Sequence, residues 1–265
     1  MIKTLSAMLA VLVLPVAIYS TPVGNTAAPQ LIGDGFFISR DSWVDVRTGY
    51  EGDFVTNARM NQIDQGSGRV DGYKQNTNSG TVTLNVLDRI DLYGVLGSSN
   101  TNADWRYTAV DNSVHRIEVE SDNDFLWAVG ARGIFFEWGK ACLGLGGRYS
   151  AARYTLESVT TNGMAVSAAN AHLQWNEWQV NLDISYRVEL LTPYIGIKYS
   201  SNKTALNNFP VPIANDGAFH THFRNAIPVG IFLGCSLSNG KYFMLNLEAR
   251  LVDEEAITVS GDIRF

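Results

Sequence analysis

Charged side chains in this sequence fall on alternate positions. In residues 43–55, Asp45, Arg47, Glu51 and Asp53 share one parity, while Val44, Val46, Tyr50 and Phe54 share the other. In 177–188, Trp178, Val180, Leu182, Ile184, Tyr186 and Val188 alternate with Glu177, Gln179, Asn181, Asp183, Ser185 and Arg187. The end repeats the device, with Ile257, Val259, Ile263 and Phe265 set against Thr258, Ser260, Asp262 and Arg264. Period two marks a strand whose two faces differ in chemistry. Over the whole chain the polar parity collects the cations Arg47, Arg132, Arg148, Arg187, Lys198, Arg250 and Arg264, and the anions Asp45, Glu51, Asp91, Asp183, Glu248 and Asp262. Such groups on one enclosed surface can hold water and set a field for passing solutes. They can equally pair as Arg–carboxylate networks and fill the space. The two signs nearly balance, so strong ion selectivity is not expected from this face.

Other chemistry finds less support. There is no G-x-S-x-G, P-loop, H-E-x-x-H or C-x-x-C motif. His220 and His222 flank Thr221 near Asp216, but a third and fourth metal ligand are not evident. His115 and His172 read as surface residues. No enzymatic activity, cofactor or metal is expected. The chain is acidic (−6) and lacks a basic run, which argues against nucleic acid as a partner.

The elements that position the charges follow from the same alternation. Weaker copies occupy 80–88, 89–98, 125–136, 140–154, 192–202, 226–238 and 241–252, which gives ten strands with the three above. Tight turns are expected at Asp88-Arg89, 137–140, 189–192 and Asn239-Gly240, and long polar loops at 57–78, 99–124, 156–171 and 203–225. Short turns at one end and long loops at the other fit an antiparallel up-and-down transmembrane β-barrel. The segment 103–120 could add a hairpin, so ten and twelve strands both stand. A closed barrel leaves no unpaired backbone edge in hydrocarbon. Trp43, Tyr50, Trp127, Trp138, Trp178, Tyr186 and Tyr199 are candidates for interfacial girdles. A secreted soluble β-sandwich would also alternate, but strand length, loop asymmetry and a charged content of only 17% in 265 residues favour the barrel.

Residues 1–20 read as a signal peptide, with Lys3, an apolar run from Leu5 to Tyr19 and small residues at Ser20-Thr21. Residues 21–42 are then a periplasmic lead-in and 43–265 the barrel, in the bacterial outer membrane with outer-membrane lipid around it. The competing role for such a barrel is a plugged surface adhesin or antigen whose long loops contact host molecules.

Several blocks resemble one family in its own order. These are Thr21-Pro22-Val23-Gly24-Asn25 with Ala28-Pro29, Arg47 to Val55 (RTGYEGDFV), Glu177-Trp178-Gln179, Ser185-Tyr186-Arg187, Thr192 to Lys198 (TPYIGIK) and Glu248 to Phe265. Together they resemble the chlamydial major outer membrane protein. The resemblance implies an outer-membrane porin passing small hydrophilic solutes and ions, a structural role in the envelope, and a homo-oligomer, most simply a trimer. Phe265 resembles the terminal aromatic by which barrels are handed to the outer-membrane assembly machinery. Two departures stand out. The chain is shorter than typical members, and it has only Cys142 and Cys235, one on each face. Opposite faces exclude a bond between those two.

Overall fold

The alternating segments become hydrogen-bonded strand almost throughout the computed structural model, which describes residues 21–37, 42–63, 70–108, 113–168, 170–209 and 219–265. The strands are β1 (Val44–Ala58), β2 (Met60–Gln62), β3 (Val70–Val86), β4 (Ile90–Thr108), β5 (Val114–Ser121), β6 (Asp124–Trp138) and β7 (Ala141–Thr161). After them come β8 (Met164–Val166), β9 (His172–Tyr186), β10 (Leu191–Phe209), β11 (Phe219–Asn225), β12 (Val229–Ser238), β13 (Phe243–Leu251) and β14 (Glu254–Arg264). The expected signal peptide, residues 1–20, lies outside the described residues.

Antiparallel pairing runs β1–β3–β4–β6–β7–β9–β10–β12–β13–β14 and returns to β1. The barrel is therefore closed, with ten positions around its ring. The segment 103–120 does not add a hairpin to that ring. Its first part lengthens β4. Its second part, β5, pairs with the upper ends of β4 and β7, while β6 pairs with their lower ends. β5 and β6 are thus one descending strand interrupted at 122–123. β11 and β12 repeat this arrangement against β10. β2 pairs with β11 above the short β13–β14 hairpin.

Each ring strand presents an exposed apolar residue outward: Phe54, Val82, Leu92, Val129, Leu145, Leu182, Ile197, Ile231, Leu247 and Val259. The charged parity faces in. In a bilayer this is the favourable arrangement, since Arg or Lys at the lipid midplane costs about 2–4 kcal/mol. Aromatic pairs flank the band, with Trp127–Tyr149 and Trp178–Tyr199 at 5.6 and 6.2 Å toward the upper side and Phe136–Trp138 at 5.2 Å by a lower turn. Cys142 and Cys235 are both free.

Above the band the polarity of the wall inverts. On β4, inward Asp91 is followed upward by inward Ala103, Trp105 and Tyr107, while outward Leu92 and Leu96 give way to Asn102 and Arg106. β9 does the same, from Asp183 and Glu177 inside to Trp175 and Leu173. Much of the sequence expected as long polar loop is therefore strand. Residues 70–79, 99–108, 156–161, 203–209 and 219–225 extend the wall into water. There an apolar face must turn inward and a polar one outward, as in a soluble protein. That inversion ends the alternation of lipid-facing apolar residues at the upper ends of the strands.

Candidate functional site

The lumen holds three layers of side chains and one segment of main chain. In the middle layer, Arg148 Nη1 donates to both oxygens of Glu51, at 2.9 and 3.1 Å. Arg250 reaches Asp53 at 2.6 Å, Glu248 at 3.4 Å, and also Glu254 and Thr258. Lys198 pairs with Glu254 at 2.7 Å and Asp253 at 3.1 Å. All three cations are buried. Ions at this depth are tolerable because each is paired; removing one partner of such a pair costs about 3–5 kcal/mol.

The lower layer is built on Asp45 and Asp91. Asp45 meets Arg47 at 3.1 Å and Arg264 at 3.2 Å, and Asp91 meets Arg132 at 2.9 Å and Asn85 at 2.7 Å. Asp262 accepts from Thr81 at 3.3 Å. The upper layer is apolar. Trp105, Trp175, Tyr154, Leu173 and Leu206 are buried there, with Phe223 and Phe209 at ring distances of 5.2 and 6.0 Å from Trp105.

Residues 21–32 lie inside this wall, not on the periplasmic side of it as their sequence suggested. The backbone nitrogens of Val23 and Gly24 donate to the two oxygens of Glu248. Gln179 Nε2 donates to the Pro22 carbonyl at 2.9 Å, and Thr26 donates its N–H to Asp183. A single 3₁₀ turn, Ala28–Gln30, aims carbonyls at the lower layer. Arg47 donates to those of Ala28 and Pro29 at 2.9 and 2.8 Å, and Arg264 to that of Ile32 at 2.8 Å. Ile32 bridges to Gly240 in the β12–β13 turn. Extended chain carries obligatory donors and acceptors, so it needs a polar, charged enclosure; the inward parity provides one. Gly24 takes φ +73° beside Arg132, and Gly144 on β7 leaves the space that Thr26 fills. Cavities of about 20 and 30 Å³ lie beside Tyr73 and Trp175 and beside Val23 and Arg148, room for about one or two waters each.

Of the residues expected to line the lumen, Asp45, Arg47, Glu51, Asp91, Arg148, Asp183, Lys198, Glu248, Arg250, Asp262 and Arg264 are buried inside, and Arg132 is nearly so. Arg187 is the exception. It lies beyond the end of β9, is exposed, and donates to the Gln30 carbonyl at 3.2 Å. Four lumenal acids were missed. Asp53 and Glu177 sit on the parity already recognised, whereas Asp253 lies in the β13–β14 turn and Glu254 at the start of β14, where the alternation carries no signal. Asp216 and the side chain of His220 lie outside the described residues.

A closed, antiparallel, lipid-facing ring around buried ions defines a transmembrane β-barrel of the outer-membrane type. A family model described as Chlamydia major outer membrane protein matches residues 147–218. The major outer membrane porin of Chlamydia pneumoniae is 25% identical over 373 aligned positions, covering 94% of this chain and 95% of that one. The serovar B porin of Chlamydia trachomatis is 24% identical over 379, and the major outer membrane porin of Chlamydia psittaci 23% over 374, with the same coverage. The chain is related to the chlamydial major outer membrane porins. The alignments exceed its 265 residues, so these relatives carry insertions that it lacks. Among solved structures, the β domain of a Bordetella autotransporter aligns with a TM-score of 0.42 at 10% identity over 84% of this chain and 99% of that one. An outer membrane protease of Escherichia coli aligns with a TM-score of 0.40 at 11% identity over 83% and 92%.

Proposed function

We propose that this barrel is a porin of the outer membrane, passing small hydrophilic solutes and ions by passive diffusion and serving as a structural part of the envelope. The observation that carries this is the relation to proteins named as major outer membrane porins along 94% of the chain. The charged middle and lower layers are consistent with it, since such walls hold water and tune passage. The role is a passage, not a catalysed reaction. Assembly as a homotrimer and recognition of Phe265 by the assembly machinery belong to the same proposal. In the state described here the lumen is closed twice, by residues 21–32 and by the Trp105 cluster, so conduction requires both to move.

The filled lumen favours a second reading, in which the barrel is a scaffold and its outer segments bind host molecules. Swelling of proteoliposomes in sugar solutions separates the two. Protein-dependent swelling supports the porin. Folded protein that admits neither sugar nor salt supports the scaffold.

A further inference from the structure

Glu177 sits in the middle layer with both carboxylate oxygens buried and without a hydrogen-bond partner. The cations near it are engaged elsewhere: Arg148 with Glu51, Lys198 with Asp253 and Glu254, and Arg250 with Asp53, Glu248 and Glu254. Counting Glu177, this layer holds twice as many carboxylates as cations. An isolated buried carboxylate is costly, and a positive donor beside it is the usual remedy.

The lumenal segment shows where such a donor comes from. Three of its contacts with β9 and the turn below it keep one offset. Pro22 meets Gln179, Thr26 meets Asp183, and Gln30 meets Arg187, each 157 residues apart. Between Pro22 and Thr26 the segment therefore runs in the same direction as β9. Above Pro22 the same direction leads the Thr21 nitrogen toward the level of Glu177. Gln179 and Glu177 point the same way and are about 6.6 Å apart along the strand. Thr21 is itself buried, and its hydroxyl also has no partner.

We propose that the chain is cut between Ser20 and Thr21 and that the Thr21 α-ammonium so created docks on Glu177. A signal-peptidase-class hydrolase adds water across the Ser20–Thr21 peptide bond. The bond breaks to give the Ser20 carboxylate and the Thr21 amine, which takes up a proton. The new cation meets the unpaired carboxylate as the barrel closes, and residues 21–32 are anchored at both ends, by Glu177 above and Gly240 below. An uncut chain carries a neutral amide at this place and leaves Glu177 without a counter-ion.

The test uses protein extracted in detergent from outer membranes that express the full precursor. Intact mass and terminal sequencing are expected to give a chain beginning at Thr21. Acetylation at pH 7, read on the N-terminal peptide alone, is expected to be at least tenfold slower in the folded than in the denatured protein. Glu177→Gln should remove that protection and Glu177→Asp should restore part of it. Inserting two alanines between Ser20 and Thr21 displaces the amine without touching the wall, and should also abolish protection. It thus decides the matter even if Glu177→Gln does not fold. A terminus elsewhere, or an amine equally reactive in the folded and denatured chains, overturns the proposal. Both readouts are independent of conductance.

Discussion

Gly24 donates its backbone N–H to Glu248 at 2.9 Å, joining the lumenal segment to the barrel wall across 224 residues of sequence. The other Glu248 oxygen takes the Val23 N–H, and Tyr194 and Arg250 also contact this carboxylate. Glu248→Ala is expected to free residues 21–32 and to destabilise the barrel by about 1–3 kcal/mol, because the Val23 and Gly24 N–H groups lose their acceptor while Arg250 keeps Asp53 and Glu254. Limited proteolysis of the folded variant should release N-terminal peptides that the parent protects.

Gly24 and Gly144 control the fit of the segment. Gly24 adopts a left-handed conformation, so Gly24→Ala should cost about 1–2 kcal/mol. A Cβ on Gly144 would strike the Thr26 side chain. Gly144→Ala should therefore lower the melting temperature in detergent, by about 1–3 kcal/mol of overpacking, and Thr26→Gly in the same chain should recover most of the loss. Failure of that rescue would show that Gly144 answers to the neighbouring wall rather than to the segment.

Arg148 and Glu51 form a buried pair with both oxygens engaged. Arg148→Met leaves Glu51 unpaired and should destabilise by about 3–5 kcal/mol, whereas Arg148→Met with Glu51→Gln should cost clearly less than the two single changes summed. Denaturant unfolding of the four proteins reads this directly.

The two closures act in series. Deleting residues 22–31 removes the lower one, and Trp105→Ala loosens the upper one, where the indole packs on Phe209 and Phe223. Each change alone should raise solute flux modestly, and the two together far more than their sum. Additive flux would mean that only one of them obstructs the path.

Period two disclosed the ring because lipid imposes it. Leu182 must face out and Asp183 in, and a strand cannot satisfy both any other way. The same cause made the thirteen candidate charges legible, Arg187 excepted, since it lies past the point where the strand ends. Trp105 and Tyr154 were not recognised as lumenal because the rule reverses once the outside is water, so apolar residues on that parity no longer signalled lipid. The lumenal course of residues 21–32 left no periodic trace. Its contacts run through backbone groups, which every residue carries, to partners such as Glu248 and Arg264 at the far end of the chain.

Single-channel recording in planar bilayers tests the porin reading most directly. Purified wild-type protein should give discrete current steps, brief because the lumen is closed at rest, and the variant lacking residues 22–31 with Trp105→Ala should give longer and larger ones. Silence from both proteins, with folding verified by heat-modifiable migration, would contradict it and leave the barrel as a closed scaffold.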